Sequence, residues 1–336
     1  MNEAQLVARV RELFSPRIGD DAAVIDAQVF TTDLLIEDVD FTRAIPLRFI
    51  ARKSLAVNLS DLAAMGAAPA YALLSLGLPP WALENADEML VAYAEASRQY
   101  GIEIVGGDFS RAEKLTISIT AIGRIITRPL LRSGARAGDR VYVSRPIGGS
   151  ATGLYFGSSG SSGSSGFLGF LGGTRAEELR GTPRNSEKLA YEHREFVESA
   201  IRRHIDPEPE LALGMALARI SEVTACIDIS DGLSTDLHHL CDASNCGAEI
   251  EKERIPVFPD LLSYGAKFGI NVKDAVLHGG EEYALLFTSS LRESDLSTRL
   301  GRPVYSIGRI TKTREIVLKE DGVARPLEPR GWDHFA

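Results

Sequence analysis

The chain has no stretch suited to a membrane or to secretion. No apolar run approaches the roughly 20 residues that span a bilayer. The opening Met1-Asn2-Glu3-Ala4-Gln5 offers neither a basic segment nor an apolar one, so a signal peptide is not expected. Cysteine is scarce. Cys226, Cys241 and Cys246 are odd in number and form no CxxC pair, which argues against a disulfide framework or a zinc site. Free thiols in a reducing compartment, the cytoplasm, are expected instead. Basic residues are in deficit: 37 Lys and Arg against 46 Asp and Glu leave a formal charge of -9. A general nucleic-acid binder needs a basic face, so no nucleic-acid partner is expected. A phosphorylated small molecule remains compatible, because bound magnesium supplies positive charge locally.

The familiar nucleotide and hydrolase signatures are missing too. No GxGxxG opens a helix after the first strand, and neither HExxH nor GxSxG occurs. Gly148 and Gly153 have P-loop spacing, but Leu154 and Tyr155 follow where a lysine should reach a phosphate.

What is present is an ordinary globular balance over 336 residues, 44% hydrophobic and 25% charged. That is enough for two domains and a core that needs no staple. Periodicity predicts helices at 4–14, 46–66, 81–100, 187–203, 208–221, 234–244 and 292–300. Pro46 opens the second and Gly66 closes it. Strands are predicted at 28–33, 70–78, 115–124, 141–143, 224–229, 283–288, 304–310 and 314–318, with a buried one at 102–105 that ends in Gly106-Gly107-Asp108. Elements of both kinds alternate on either side of 131–139. The fold class is therefore α/β (α+β) in two domains, 1–136 and 137–336. The Gly/Ser-rich stretch 157–173 reads as an exposed flexible loop.

The distinctive feature is a set of aspartates at predicted element ends: Asp20-Asp21, Asp33 after Thr31-Thr32, Asp108, and Asp228 and Asp231 flanking Ser230. Carboxylates at strand ends point toward the usual ligand edge of an α/β sheet. Magnesium takes oxygen ligands, commonly one or two carboxylates plus substrate phosphates. Converging carboxylates without a metal would repel and raise one another's pKa. Each one singly is equally a turn or cap residue. Asp61 differs, lying amid Leu59, Leu62, Ala63 and Ala64, where a buried acid needs a partner or a metal. Gly106-Gly107 and Gly279-Gly280 each precede an acid and allow either close ligand approach or a tight turn. His278 is expected to be a hydrogen-bonded structural residue. Arg132 is either a phosphate fork or a surface residue.

Taken in order, these segments resemble the thiamine-monophosphate kinase family. The matching stretches are Gly19 to Val24, Thr31-Thr32-Asp33, Lys53 to Gly66 (KSLAVNLSDLAAMG), Gly106-Gly107-Asp108, Arg132 to Ala135, Asp228 to Leu233 (DISDGL), Gly279-Gly280-Glu281, and the closing Gly331 to Phe335. The resemblance implies an aminoimidazole ribonucleotide synthetase-like fold of two α/β domains. The first would bind ATP and magnesium and form a homodimer through a shared sheet. It implies transfer of the ATP γ-phosphoryl group to thiamine monophosphate, in thiamine diphosphate biosynthesis. Asp21, Thr31, Thr32, Asp33, Asp61, Asp108, Asp228 and Asp231 would hold magnesium, with Asp33, Asp61 and Asp228 as the catalytic carboxylates. Gly107, Asp108, Arg132 and Ser230 would contact ATP. Asp40, Glu281 and Trp332 would meet the acceptor, Trp332 by stacking.

The acceptor is already a phosphate and needs no strong general base. The obstacle is repulsion between two phosphorylated molecules, which metal ions and an arginine relieve. The sequence departs from the family pattern at three places. Asp40 stands where the family usually has a histidine. The usual GGEDYEL reads Gly279-Gly280-Glu281-Glu282-Tyr283-Ala284-Leu285. The Gly/Ser stretch lengthens the second domain. Another ATP-using synthetase of the same superfamily, or a nucleotide-binding protein without turnover, are the competing readings.

Overall fold

The computed structural model describes residues 3–15, 18–159 and 193–331. Its first half is helix α1 (Glu3–Leu13), strands β1 (Ala23–Ile25) and β2 (Gln28–Ile36), helix α2 (Leu47–Ala64), strand β3 (Ala67–Leu78), helices α3 (Pro80–Leu83) and α4 (Ala86–Tyr100), and strands β4 (Glu103–Arg111) and β5 (Thr116–Ile125). The sheet order is β1-β2-β5-β3-β4, antiparallel except for the β3–β4 pair. The tight β1–β2 hairpin turns on Asp26 and Ala27, both at positive φ (48° and 62°), as a two-residue hairpin requires.

The second half is β6 (Arg140–Val143), α5 (Gly149–Ser159), α6 (Arg194–Ile205), α7 (Leu211–Ala218), β7 (Val223–Asp228), α8 (Leu233–Ser244), β8 (Gly247–Glu251), α9 (Leu261–Phe268), α10 (Val272–Leu277), β9 (Leu285–Ser289), α11 (Glu293–Leu300), β10 (Tyr305–Thr311), β11 (Ile316–Glu320) and β12 (Val323–Pro326). The sheet order is β12-β11-β8-β10-β6-β9-β7. No helix among the described residues is long and apolar enough to cross a membrane.

Helix α2 is the keel. It is apolar on nearly all sides, which marks a helix enclosed by protein, and its residues from Ser54 to Ser60 are all buried. It packs on β2, β3 and β5 of the first sheet and on α7 and β7 of the second half. It ends as expected at Gly66, whose φ of +66° suits the left-handed position after a helix. The approach to α7 is close: a Cβ on Gly214 would lie 1.9 Å from the carbonyl oxygen of Ala63.

Several expectations are corrected. The strand expected at 102–105 is neither buried nor ended by the glycine pair. β4 runs through Gly106-Gly107-Asp108 to Arg111 as an exposed edge strand, with Val105 and Phe109 open to solvent. Asp33 lies within β2, which continues to Ile36. The helix expected at 81–100 breaks between Leu83 and Ala86. Residues 157–159 of the Gly/Ser stretch close α5; the remainder, with the start of the helix expected at 187–203, lies outside the described residues. Helices α5, α9 and α10 and strand β8 were not legible, because short segments give little periodicity.

One face of the first sheet carries α2 and α4; the other is open. Leu34 and Leu73 project from that open face, 54% and 41% exposed.

Candidate active site

A cleft of about 620 Å³ lies between the two halves, with two chemically distinct ends. One is acidic, lined by Asp21, Asp33, Asp61, Asp228 and Asp231. The other is mixed, with Val39, Phe41, Ile45, Val57 and Leu154 beside Asp40, His204 and Glu281.

Three elements build the acidic end. Asp21 comes from the turn before β1, Asp61 from α2 and Asp228 from the end of β7. Their carboxylate oxygens lie within 4.8 Å of one another. One oxygen of Asp21 accepts from Arg132 Nε (2.9 Å) and Nη2 (2.6 Å). The other is buried with no hydrogen-bond partner. Thr31 Oγ1 donates to Asp61 Oδ2 at 2.5 Å, and Ser60 Oγ donates to Asp228 Oδ2 at 2.5 Å. Asn58 ties the layers together: its Oδ1 accepts from the Asp33 backbone N–H (3.1 Å), and its Nδ2 donates to the Ser54 carbonyl (3.0 Å).

The electrostatics follow from this crowding. Burial pushes Asp61 well above the ordinary carboxylate range, and Asp33, Asp228 and Asp21 push it further. Burial and then Asp21 raise Asp228 to about 8. Asp21 is also raised, burial outweighing the pull of Arg132. An orphaned buried carboxylate oxygen, three mutually repelling acids and an all-oxygen donor set fit a hard divalent cation such as magnesium.

Ser230 and Asp231 line the same cleft. Their loop is held from within α8, where buried Asp236 accepts from the backbone N–H of Asp231 (3.1 Å) and Gly232 (3.0 Å). Sequence reasoning missed Asp236. An aspartate inside a helix, eight residues after Asp228, was the available signal. Asp20 is a structural residue here, accepting from the Arg132 backbone N–H at 2.8 Å.

At the other end, Glu281 is flanked by two buried cationic or polar groups. Lys53 Nζ lies 2.5 Å from its Oε1 and His204 Nδ1 3.1 Å from its Oε2. Neither partner stood among the expected acceptor contacts. Asp40 also lines the cleft, and its Oδ2 accepts from the Ile36 backbone N–H at 2.7 Å. That bond gives the acid that replaces the family histidine a local role in closing the turn after β2. Glu282 is buried elsewhere: one oxygen accepts from the N–H groups of Gly148 (2.9 Å) and Ser150 (2.8 Å). The start of α5, which has P-loop spacing, thus already holds an anion, and that anion is the protein's own. His278 is hydrogen-bonded to Ser234 Oγ through Nδ1 (2.8 Å), as a structural histidine should be.

Thr32 also lines the cleft, although its hydroxyl is engaged within the sheet, donating to the Ile119 carbonyl and pairing with Thr120. Other expected site residues are placed elsewhere. Gly107 and Asp108 do not line the cleft. Asp108 sits in register with Ser75 on the open side, three strand spacings from β2, about 14 Å. The positive φ of Gly107 (150°) serves strand approach: a Cβ there would lie 1.7 Å from the Leu74 carbonyl oxygen. Trp332 lies outside the described residues. Gly331 before it donates its N–H to Thr235 Oγ1 at 2.9 Å, beside the Asp231 loop.

Comparison with known proteins accords with this geometry. The family model for the AIR synthase related protein N-terminal domain matches residues 19–125, and that for the C-terminal domain matches 136–320. Thiamine-monophosphate kinase of Rhodopirellula baltica is 33% identical over 326 residues, covering 91% of this chain and 87% of the relative. That of Escherichia coli K12 is 34% identical over 334 residues, covering 95% and 91%. Among solved structures, AaThiL complexed with AMPPCP and TMP superposes with a TM-score of 0.81 at 30% identity, covering 99% of this chain and 97% of that one. HypE structures at 18–22% identity share the fold.

Proposed function

The chain belongs to the thiamine-monophosphate kinases of the AIR synthase related family, and from that premise we infer that it transfers the γ-phosphoryl group of ATP to thiamine monophosphate, yielding thiamine diphosphate. The observation that carries this reading is the two-ended cleft. Its acidic trio has an orphaned oxygen suited to a cation, and the apolar side chains of its mixed end suit a flat ring system.

Asp21, Asp61 and Asp228 would hold magnesium, with Asp33, Asp231 and the Thr31 hydroxyl as neighbouring oxygen donors. Bound magnesium supplies the positive charge that lets two phosphorylated molecules share an acidic cleft. The remaining work belongs to the chain. Arg132, whose Nε and Nη2 are held by Asp21, would turn its remaining N–H groups to a phosphoryl oxygen. Ser230 stands at the N-terminus of α8, a favourable place for phosphate oxygens. Val39, Phe41, Ile45 and Leu154 exclude water from the acceptor end. Little covalent assistance is required, because catalysis of phosphoryl transfer is chiefly positioning and charge stabilisation.

The placement of Gly107 and Asp108 supports a homodimer. If they meet nucleotide, as the family resemblance implies, they cannot do so beside the trio of their own protomer. A second copy packed on the open sheet face, over Leu34 and Leu73, would bring them to its cleft. Residues 1–136 would then be the nucleotide, magnesium and dimerisation unit, and 137–336 would complete the cleft. The three free buried cysteines favour the cytoplasm.

The test is direct. Purified protein with ATP, magnesium and thiamine monophosphate should form thiamine diphosphate, resolved by chromatography. Absence of product, with activity on a different phosphorylated acceptor or amide, would move the chain to another branch of the superfamily. Tight binding of both ligands without turnover would make it a binding protein.

A further inference from the structure

The acceptor end contains a charged group that the reaction described so far leaves unused. Lys53 lies on α2 among buried Ala51, Leu55 and Ala56, and is itself 2% exposed. An ammonium in such a place is costly unless it is paired. Its partner is Glu281, at 2.5 Å.

The pair is oriented. Glu281 lines the cleft with 30% of its side chain exposed, whereas Lys53 does not reach the lining. The positive end of the pair is therefore sealed behind the wall and the negative end faces the cleft. His204 fixes the second carboxylate oxygen, and its Nδ1 is also 3.1 Å from Ser150 Oγ. The backbone of Glu281 is held as well. Its φ of 59° is sparsely populated for a residue with a side chain, and its N–H donates to the Ser230 carbonyl at 2.6 Å. Burial alone would raise this acid, but Lys53 and His204 outweigh it and hold it at about 2. His204 itself is lowered, first by burial and then by Lys53.

We propose that Lys53 is a positioning residue for the acceptor: from behind the wall it fixes Glu281 so that the cleft selects a cationic ring. The inference rests on the assignment of this end of the cleft to thiamine monophosphate, whose thiazolium ring carries a permanent positive charge. Each carboxylate oxygen has two lone-pair directions, so Lys53 and His204 leave Glu281 able to face a cation.

The test compares two acceptors in steady-state kinetics: thiamine monophosphate, and its analogue in which a neutral thiophene replaces the thiazolium. Wild-type protein should favour the cationic acceptor by about tenfold or more in kcat/KM, the scale of one oriented charge contact. Lys53→Met should raise the KM for thiamine monophosphate by a similar factor. The KM for the neutral analogue and for ATP should change less than about threefold, because only cation recognition is removed. Glu281→Gln should give the same pattern, and the double variant should lose no more than either single one. Equal losses toward both acceptors would reduce Lys53 to a structural residue and overturn the proposal. Should Lys53→Met fail to fold by circular dichroism, calorimetry with wild-type protein and Glu281→Gln decides the matter: equal affinity of the wild type for both acceptors overturns it. Wild-type protein that makes no thiamine diphosphate would instead remove the underlying reading.

Discussion

Ser60 on α2 donates its hydroxyl to Asp228 at the end of β7 across 2.5 Å, with both side chains fully enclosed. This bond joins the first sheet's keel to the second sheet beside the carboxylate trio. Arg52–Asp206 and Lys53–Glu281, about two turns earlier on the same helix, make further polar contacts with the second half. Helix α2 therefore sets how far Asp61 stands from Asp228.

Ser60→Ala should reveal that role. It strips a buried carboxylate of its donor, at a cost of about 1–3 kcal/mol. Calorimetry should show weaker magnesium binding in the presence of a non-hydrolysable ATP analogue. Unchanged stability and unchanged affinity would show that the bond does not matter.

Asp61→Asn removes one charge from three that repel. Without metal, the variant should melt at or above the wild-type temperature, because the raised state of Asp61 reflects burial and its acidic neighbours. Turnover should fall by about 10²–10³-fold or more, the scale set by loss of transition-state charge stabilisation. Activity at the wild-type level would refute the metal-holding assignment.

The metal-free protein should lose stability as pH rises. Asp228 has a folded pKa of about 8 against an ordinary 3.8, so the folded state holds a proton that the unfolded chain gives up. Its contribution is fully present below about 4 and disappears as pH climbs through about 8. Magnesium requires the ionised form, so its stabilising effect should grow over that interval. Thermal melts at pH 5, 6, 7 and 8, with and without magnesium, read both trends; a flat metal-free profile would contradict them.

Subunit complementation tests whether Asp108 serves a neighbouring cleft. Asp61→Asn and Asp108→Asn should each be inactive alone. Mixed and allowed to exchange, half the dimers would pair the two variants, each with one intact cleft, restoring about a quarter of wild-type activity if the protein is an exchanging dimer. Recovery would fail if Asp108 acted within its own protomer.

Much of this protein was determined locally. Helix α2 announced itself through Pro46, an apolar run and Gly66, since helix ends are set by residues close in the chain. Asp61 was recognisable as an exceptional acid from its apolar neighbours alone, and the ordered spacing of the aspartates carried the family. Tertiary structure decided what each acid does. Asp21, Asp61 and Asp228 come together from positions up to 207 residues apart, and convergence at that range depends on the packing of two sheets. Strand position sent Asp108 to an exposed edge, and the two-residue alternation of β2 turned Thr32 away from Thr31 and Asp33. Lys53 reads in sequence as one more residue of a helix motif. Only the seating of α2 against the second half gives its ammonium a buried carboxylate to face, because the energy of a charge depends on what surrounds it.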